Sequence, residues 1–542
     1  MRLTSYIPSF LWLAASGFAD FPPLLDATLD ELRHGLDSGA FTSVDLVAAY
    51  IARIREVNDQ LHAVVEINPD AVQIATTLDE DLRWPGTHRG PLHGIPILVK
   101  DNIATNDEMN NTAGSYALVG AKVPEDSTVV AKLRKAGAVI LGKANLSQWA
   151  SFRGLNMSQG WSAYGGQTCG AYFEGQNPSG SSSGSAVASS LGLAWASLGT
   201  ETGGSIIHPS HLNNLAGIKP TVGLTSRYLV VPITLRQDTV GPLARTVKDA
   251  AALLNAIAGP DAKDNYTGAI PWDEPPDYVA ACREDGLQGM RIGITRQIMN
   301  YSDPSGGPAV SVFDEAIDVL KSLGAEIIDN ITFSNYDLVD EALAAAAVVC
   351  GLEFLDQLPT AYLDLLKFNP HKITSLLQLR DYTQSEPQEQ YPEIGTASWD
   401  NILAMNVSIQ DPSYWSNRSL LDEWLGPKGY TGAFDEHSLD AVVLPSAWAF
   451  MIPSFLGWPV VSVPLGAAPD DSPVEPNELG TMNVTGPNQP FGLGFTGKAW
   501  SEEKLIGMAC AFEAKTNVRR KIKPLIQPVT ELRDVVNTQL EL

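Results

Sequence analysis

Cysteine is scarce in this chain of 542 residues. The four cysteines are Cys169, Cys282, Cys350 and Cys510, and they include no C-x-x-C pair. No histidine pattern accompanies them at the spacing typical of a zinc site, so we expect no metal ion. The count allows one or two disulfides and requires none.

Positive charge is also in short supply. The chain has 36 Lys plus Arg against 62 Asp plus Glu, a formal net charge of -26 at pH 7 and a sequence pI of about 4.6. Nucleic acid and anionic membrane surfaces repel such a chain, so neither is expected as a partner. Beyond the N-terminal region no apolar run reaches the roughly 18 uncharged residues of a membrane helix, so no membrane span is expected in the mature chain.

The N-terminal region and the sequons indicate a compartment. "MRLTSYIPSFLWLAASGFAD" has one arginine, an apolar stretch and then small residues, which resembles a secretory signal over residues 1–19. We therefore expect the remaining domain, residues 20–542, to be a secreted, extracellular glycoprotein. Asn145 lies in a strand-like context, and we expect it to be buried and unmodified. The N-x-S/T sequons lie at Asn110, Asn145, Asn156, Asn265, Asn300, Asn330, Asn406, Asn417 and Asn483.

No Gly/Ser-rich or Pro-rich linker divides the chain between about residues 95 and 520. "HGIPILVK" predicts a buried strand over Ile95–Val99, and "GMRIGITR" with "PAVSVFDEAIDVLKSLGAEIIDN" predicts a strand, a helix and a second strand. The fold class is therefore α/β: one large domain with a mixed, mostly parallel central sheet and helices on both faces. The least regular segment, about 350–435, is interpreted as a variable insertion that shapes a substrate pocket.

Three short motifs are better explained by structure than by chemistry. "GAVILGKA", Gly137–Ala144, resembles a phosphate-binding loop but ends in alanine and has an apolar strand in its middle. "HPSH", His208–His211, suggests a metal pair, but Pro209 argues against a regular helix there. "SEEK" at Ser501 is interpreted as the start of an amphipathic helix.

The stretch "SGSSSGSAVASS", Ser179–Ser190, contains a G-x-S-x-G pattern centred on Ser182. A hydrolase nucleophile elbow needs a strand directly before that serine, to project it from a sharp turn. The preceding residues, "YFEGQNPS", are polar and turn-forming. A serine esterase that uses Ser182 therefore stays open only as an alternative.

Four motifs occur in order along the chain: "HGIPILVKDNI", "PSGSSSGSA", "GTETGGSIIHPS" and "AGIKPTVGLTSR". Together they resemble the amidase signature family of Ser-cisSer-Lys hydrolases, and "TET" is similar to its peptide-amidase-like, fungal secreted branch. The resemblance extends to "GKANLSQWA", "QDTVGPLARTVKDAA" and "FTGKAWSEEKLIGMACAFE", nearly the whole mature chain. It implies the amidase signature fold.

The resemblance implies a catalytic triad of Lys100, Ser181 and Ser205. Neutral Lys100 takes a proton from Ser181, the cis serine, which takes one from Ser205, 24 residues later in the chain. Ser205 then attacks the amide carbonyl. This agrees with physical chemistry, because a lysine acts as a base only where burial or neighbouring charge keeps its amine neutral.

Further roles follow from the same resemblance. Backbone N–H groups of Thr202, Gly203, Gly204 and Ser205 would bind the oxyanion, since glycines let the backbone approach the substrate closely. Ser182 and Ser183 would hold the geometry by hydrogen bonding, and so would Asp101 beside Lys100. No metal ion or organic cofactor is implied.

Two departures from the family pattern bear on the substrate. Glu201 stands where many members have aspartate, and Ile207 where many have arginine. Without that arginine a small anionic acid is a poor substrate, and Ile207 and His208 are expected to line the acyl pocket. The expected activity is hydrolysis of a linear carboxamide, at a C–N bond other than a peptide bond, to a carboxylic acid and ammonia or amine.

The substrate is expected to be a small-molecule or peptide amide. An amidase that tailors a secondary metabolite would use the same triad, so that alternative stays open. The acidic chain fits poorly with the transfer-RNA amidotransferase subunit of the family. The oligomeric state does not follow from the sequence.

Overall fold

A computed structural model describes residues 21–81, 89–302 and 308–538. The expected signal sequence, residues 1–19, lies outside these ranges. Fifteen strands occur in the described residues: β1 (Val64–Ile67), β2 (Pro96–Lys100), β3 (Val139–Ala144), β4 (Trp161–Ser162), β5 (Gly166–Gln167), β6 (Ala196–Glu201), β7 (Ala216–Lys219), β8 (Thr239–Ala244), β9 (Arg291–Gly293), β10 (Glu326–Ile328), β11 (Ala441–Pro445), β12 (Val460–Ala467), β13 (Glu475–Pro476), β14 (Asn483–Thr485) and β15 (Pro490–Thr496).

The same ranges contain the α-helices that cover the strands. They are α1 (Leu29–Ser38), α2 (Ser43–Leu61), α3 (Ala71–Asp81), α4 (Thr128–Lys135), α5 (Ser183–Ser190), α6 (Ile207–Leu212), α7 (Val247–Ile257), α8 (Arg296–Ser302), α9 (Pro308–Ser322), α10 (Val339–Ala361), α11 (Leu376–Ser385), α12 (Ala397–Met405), α13 (Pro412–Leu425), α14 (Tyr430–Glu436), α15 (Ser446–Ala449), α16 (Met451–Leu456), α17 (Glu502–Thr516) and α18 (Leu532–Thr538).

Eleven strands form one mixed sheet in the order β1-β3-β2-β6-β8-β7-β12-β15-β11-β9-β10. Parallel pairing joins β2 to β3 and β6 on one flank, and β9 to β10 and β11 on the other. The strands between these blocks pair antiparallel, as does β1 at the edge. The predicted α/β domain with a mixed central sheet and flanking helices is confirmed, and parallel pairing predominates only in the two flanking blocks.

Local sequence signals explain where the first helices begin. The Thr28 hydroxyl accepts from the Glu31 N–H and the Glu31 carboxylate accepts from the Thr28 N–H, which is a capping box at the start of α1. In α2 the apolar residues spaced three and four apart are all buried, as helical periodicity predicts. They are Leu46, Tyr50, Ile54, Val57 and Leu61.

The sheet brings the candidate site residues to one edge. β2 and β6 are parallel neighbours with Val99 opposite Leu198, so their carboxyl ends lie side by side. Lys100 is the last residue of β2, and Glu201 is the last residue of β6. The last eight residues of the serine-rich stretch, Ser183–Ser190, form α5, and all eight are buried.

Two of the three short motifs have the structural roles that we predicted from the sequence. In the motif "GAVILGKA", which resembles a phosphate-binding loop, residues 139–144 form β3. Ser501, the first residue of "SEEK", directly precedes α17. The argument from Pro209 was wrong, because α6 includes it at the third position. The first-turn N–H groups of a helix have no intrahelical acceptor, so a proline costs no hydrogen bond there.

Asn145 is fully buried, as predicted, and four oxygens lie within 3.3 Å of its side-chain amide nitrogen. Other sequon asparagines lie exposed on the surface: Asn156, Asn265, Asn300, Asn330 and Asn406. Cys282 and Cys510 form a disulfide, with Cα atoms 5.2 Å apart. No helix in the described ranges is long and apolar enough to cross a bilayer.

Candidate active site

Lys100 is fully buried, and its ammonium or amine nitrogen contacts four oxygen atoms of uncharged groups. Its Nζ lies 2.7 Å from Ser181 Oγ and 3.0 Å from Ser182 Oγ. It also lies 2.9 Å from Thr200 Oγ1 and 3.2 Å from the Thr200 carbonyl. No carboxylate of the described residues forms an ion pair with it.

This environment changes the acidity of the lysine. Burial lowers the pKa of Lys100 well below its usual value, and the negative charges of Glu201 and Asp238 oppose that effect only in part. A neutral amine at working pH can accept a proton, whereas an ammonium group cannot. Burial thus favours the neutral amine of Lys100, which lies in contact with the Ser181 hydroxyl.

The two serines that contact Lys100 differ in how they are held. Ser181 follows a cis peptide bond from Gly180, which agrees with the cis serine that the resemblance implied. The Ser182 hydroxyl donates to the Thr200 carbonyl at 3.1 Å and accepts from the Thr200 N–H at 3.3 Å. Ser181 and Ser182 are both 0% exposed. Neither hydroxyl is therefore open to a substrate.

Ser205 is adjacent to this pair but retains surface. The Ser182 N–H donates to the Ser205 carbonyl at 3.2 Å, which fixes the two chain segments together. Ser205 is 9% exposed, in contrast to the two serines beside Lys100. Of these three serines, Ser205 alone keeps any exposed surface.

The turn that follows β6 is anchored at both ends. The Thr202 hydroxyl donates to Asp238 at 2.5 Å, and the Gln237 side-chain amide donates to the Thr202 carbonyl at 3.2 Å. At the other end, Glu201 accepts from the N–H groups of Ile206 and Ile207 at 2.7 and 2.9 Å. Glu201 therefore holds the residues directly after Ser205.

Four N–H groups of this turn have no acceptor within the described ranges: those of Thr202, Gly203, Gly204 and Ser205. Free backbone donors at a tight turn are suited to bind an oxyanion. Gly204 has a φ of +87°, and a Cβ at this position would lie 2.7 Å from the Phe450 ring. The turn therefore requires glycine at residue 204.

A cavity of about 900 Å³ opens beside the turn. Its wall includes Gly180, which precedes Ser181, and Gly204, which precedes Ser205, so the cavity reaches the chain next to both serines. The other lining residues come mainly from 447–450 and 468–491. No lining residue falls within 350–435, the segment that the sequence suggested as pocket-forming.

His208 lines the cavity as expected, but Ile207 does not. Ile207 is fully buried in the core, since successive residues of α6 face different directions. His208 Nδ1 lies 2.6 Å from Ser179 Oγ, and its ring stacks on His211 at 5.6 Å between ring centroids. Burial lowers the pKa of His208 to about 4, so this histidine is neutral at working pH.

Asp101 and Ser183 do not make the supporting contacts that we expected from the sequence. Asp101 does not bond Lys100; its carboxylate accepts from the hydroxyl and N–H of Thr112 and from the N–H of Gly114. It follows the end of β2 and turns away from the lysine. The Ser183 hydroxyl is buried without a hydrogen-bond partner among the described residues, so it holds no geometry by bonding.

Sequence reasoning missed three residues of the site. Thr200 gives two oxygens to Lys100, Asn102 donates to Thr200 Oγ1 at 3.0 Å, and Asp238 anchors Thr202. Thr200 and Asp238 lie within the motifs "GTETGGS" and "QDTVGP", so their positions were visible in the sequence. Their roles were not, because these contacts join separate strands of the sheet.

Comparison with known proteins agrees with this geometry. A family model described as Amidase matches residues 45–506. A relative in Arthroderma benhamiae, named "Putative amidase", is 47% identical over 541 residues, which cover 95% of this chain and 90% of the relative.

Solved structures are similar over most of the chain. The X-ray structure of a native peptide amidase from Stenotrophomonas maltophilia matches with a TM-score of 0.81 and 36% identity, covering 93% of this chain and 99% of that one. A peptide amidase solved in complex with the competitive inhibitor chymostatin has the same TM-score and identity, covering 92% and 99%. The matched family model, the relative and the buried lysine–serine site agree: the chain belongs to the amidase signature family and is a hydrolase that acts on amides.

Proposed function

We propose that this enzyme hydrolyses linear carboxamides, at a C–N bond other than a peptide bond, through an acyl-enzyme on Ser205. The observation that carries the proposal is the contact of buried Lys100 Nζ with Ser181 Oγ at 2.7 Å, beside the partly exposed Ser205. A base, a relay hydroxyl and a reachable nucleophile are the parts that serine catalysis needs.

The first half of the reaction forms the acyl-enzyme. Ser181 passes its proton to neutral Lys100 and takes the proton of Ser205, whose oxygen attacks the carbonyl carbon. The negative charge on the substrate oxygen is stabilised by the N–H groups of Gly203, Gly204 and Ser205. The proton then returns through Ser181 to the leaving nitrogen, the C–N bond breaks, and ammonia or an amine departs.

The second half regenerates the enzyme. A water molecule gives a proton to the same relay and attacks the ester carbonyl. The ester bond to Ser205 breaks, the serine recovers its proton, and the carboxylic acid is released. Every step uses side chains or backbone of this chain.

The substrate class we propose is a peptide amide or a related neutral amide. The similarity to peptide amidase structures supports it, and so does a cavity of about 900 Å³ beside the turn, which is large enough for more than a short aliphatic amide. Ile207 lies in the core where other members carry arginine, so it supplies no charge to hold an anionic acid. A secondary-metabolite amide would fit the same cavity.

The geometry disfavours the esterase that uses Ser182. A nucleophile elbow projects its serine from the end of a strand, but no strand directly precedes Ser182. Its hydroxyl is fully buried and already bonded to Thr200 and Lys100. We therefore assign Ser182 to support of the lysine.

Labelling by a fluorophosphonate probe tests the nucleophile. We expect the probe to modify Ser205, so that Ser205→Ala abolishes both labelling and carboxamide hydrolysis, while Lys100→Ala slows both by about 100-fold or more. Ser182→Ala is the matched control, which should still be labelled at Ser205. Peptide mapping that found the label on Ser182 would contradict the mechanism.

We also propose that the enzyme is secreted. The N-terminal 19 residues resemble a signal sequence, exposed sequon asparagines are available, and the Cys282–Cys510 disulfide is of a kind that persists in oxidising compartments. After expression in a eukaryotic host, we expect to find the protein in the culture medium. Enzymatic deglycosylation of that protein should then lower its mass. Retention in the cell without a mass change would contradict the proposal.

A further inference from the structure

We propose that Glu475 makes this enzyme selective for amides that carry a positive charge away from the scissile carboxamide. The inference rests on the proposed function, since it concerns the cavity beside Ser205. It assigns to that cavity a substrate class defined by charge.

Glu475 lines the cavity from a loop that backbone hydrogen bonds hold in place. The loop joins β12 to β15 and contains β13 and β14, where Glu475 pairs with Thr485. The Asn483 N–H donates to the Gly175 carbonyl at 2.8 Å, which ties the loop to the segment before Ser179. These backbone pairings fix the chain at Glu475 beside the cavity.

Glu475 is the one charged side chain among the described residues that line the cavity. The ionisable neighbours in the wall are His208 and His211, and burial lowers their pKa values to about 4 and about 3. Both are neutral above pH 5. Lys100 is fully buried and does not line the cavity, and burial lowers its pKa well below the usual value.

Among the residues that the structure describes, no cation pairs with the Glu475 carboxylate. Glu475 is exposed, and no described residue forms an ion pair with it. The sequence from residue 468 to 497 contains no lysine or arginine, while Asp470, Asp471 and Glu478 add exposed carboxylates to the same loop. A cationic group entering the cavity therefore meets negative potential, and an anionic group is repelled.

The expected size of the effect is modest. A charge pair that remains partly solvated changes binding by about 3- to 5-fold, and added salt reduces it. Because Glu475 does not act on the reacting groups at Ser205, the charge should affect substrate binding and not the chemical step. The preference should therefore appear in kcat/KM.

The test compares N-acetylated dipeptide amides that carry lysine or the neutral isostere norleucine at the first or second position from the carboxamide. The wild type should favour lysine by about 3- to 5-fold in kcat/KM at one of the two positions, and less at 500 mM salt. Glu475→Gln should reduce the lysine-to-norleucine ratio of kcat/KM to below about twofold. Glu478→Gln is the matched control, because it removes a carboxylate of the same loop outside the cavity wall.

The outcomes separate the two proposals. Equal kcat/KM for lysine and norleucine substrates, or equal losses in Glu475→Gln and Glu478→Gln, would overturn the selectivity while leaving carboxamide hydrolysis intact. Failure to hydrolyse any carboxamide would overturn the proposed function and the selectivity with it.

Discussion

Lys100 shows how a single residue acquires its chemistry from its surroundings. Its amine is enclosed by the oxygens of Ser181, Ser182 and Thr200, none of which is charged. Burial without a contacting carboxylate disfavours the ammonium form, so the lysine is prepared to accept a proton. The negative charges of Glu201 and Asp238 nearby set the limit of that effect.

The acidity of Lys100 predicts the pH profile. The base works only when neutral, so kcat/KM should rise with pH through a midpoint far below 10.5, the usual pKa of lysine. In Asp238→Asn the loss of a negative charge removes a contribution that raises the pKa of Lys100. The rising limb should therefore move to lower pH in that variant.

Initial rates between pH 4 and 10 on one neutral carboxamide would check the shift. Lys100→Arg provides the control, because arginine keeps its proton and should be inactive over the whole range. A limb that moved to higher pH in Asp238→Asn would contradict the assignment of Lys100 as the base.

At the scale of the element, the turn after β6 supplies most of the site. Glu201 ends the strand and bonds the N–H groups of Ile206 and Ile207, while Thr202 is held by Asp238. The turn is thereby fastened on both sides of its free N–H groups. Rigid placement of oxyanion donors is what makes them effective in the transition state.

The two glycines of the turn give a matched pair of variants. Gly204 has a φ of +87° and no room for a Cβ beside Phe450, whereas a Cβ on Gly203 would meet nothing closer than Ser454 at 3.9 Å. We expect Gly204→Ala to destabilise the protein by about 1–2 kcal/mol and to lower kcat/KM by at least about 10-fold, because the left-handed backbone is costly for alanine. Gly203→Ala should retain most of its activity.

Urea unfolding and steady-state kinetics on both variants would measure these effects. Equal losses in the two would show that the turn tolerates neither side chain, for a reason other than the conformation of residue 204.

The element scale also shows what local pattern can predict. The capping box at Thr28 and the apolar stripe of α2 depend on residues three and four apart, so they were readable without a fold. The order of strands in the central sheet was not, because β7, β8, β12 and β15 pair across long stretches of chain. The antiparallel centre of the sheet follows from those distant pairings.

At the scale of the whole molecule, the disulfide links two segments that are far apart in the chain. Cys282 and Cys510 are separated by 228 residues, and Cys510 lies in α17, which packs against β12 of the central sheet. Closing so long a loop removes conformational freedom from the unfolded chain. The bond therefore acts on the stability of the entire domain.

Removing this disulfide should lower the free energy of unfolding by about 2–4 kcal/mol. The variant is Cys282→Ser combined with Cys510→Ser, and the measurement is the urea midpoint under non-reducing conditions. Cys169→Ser with Cys350→Ser is the control, since both of those cysteines are free and should leave the midpoint nearly unchanged. A midpoint that was equal in the two double variants would contradict a stabilising role.

The sequence by itself determined the family of this protein and indicated the residues of its candidate site. Lys100, Ser181 and Ser205 stand in recognisable motifs in a given order, and the strand and helix patterns around them specify an α/β domain. The tertiary structure alone decided that Ser205 keeps some exposed surface, how Thr200 and Asp238 support the site, and that the cavity wall excludes 350–435. The reason is physical: motifs record residue types along the chain, whereas burial and contacts depend on which distant strands become neighbours.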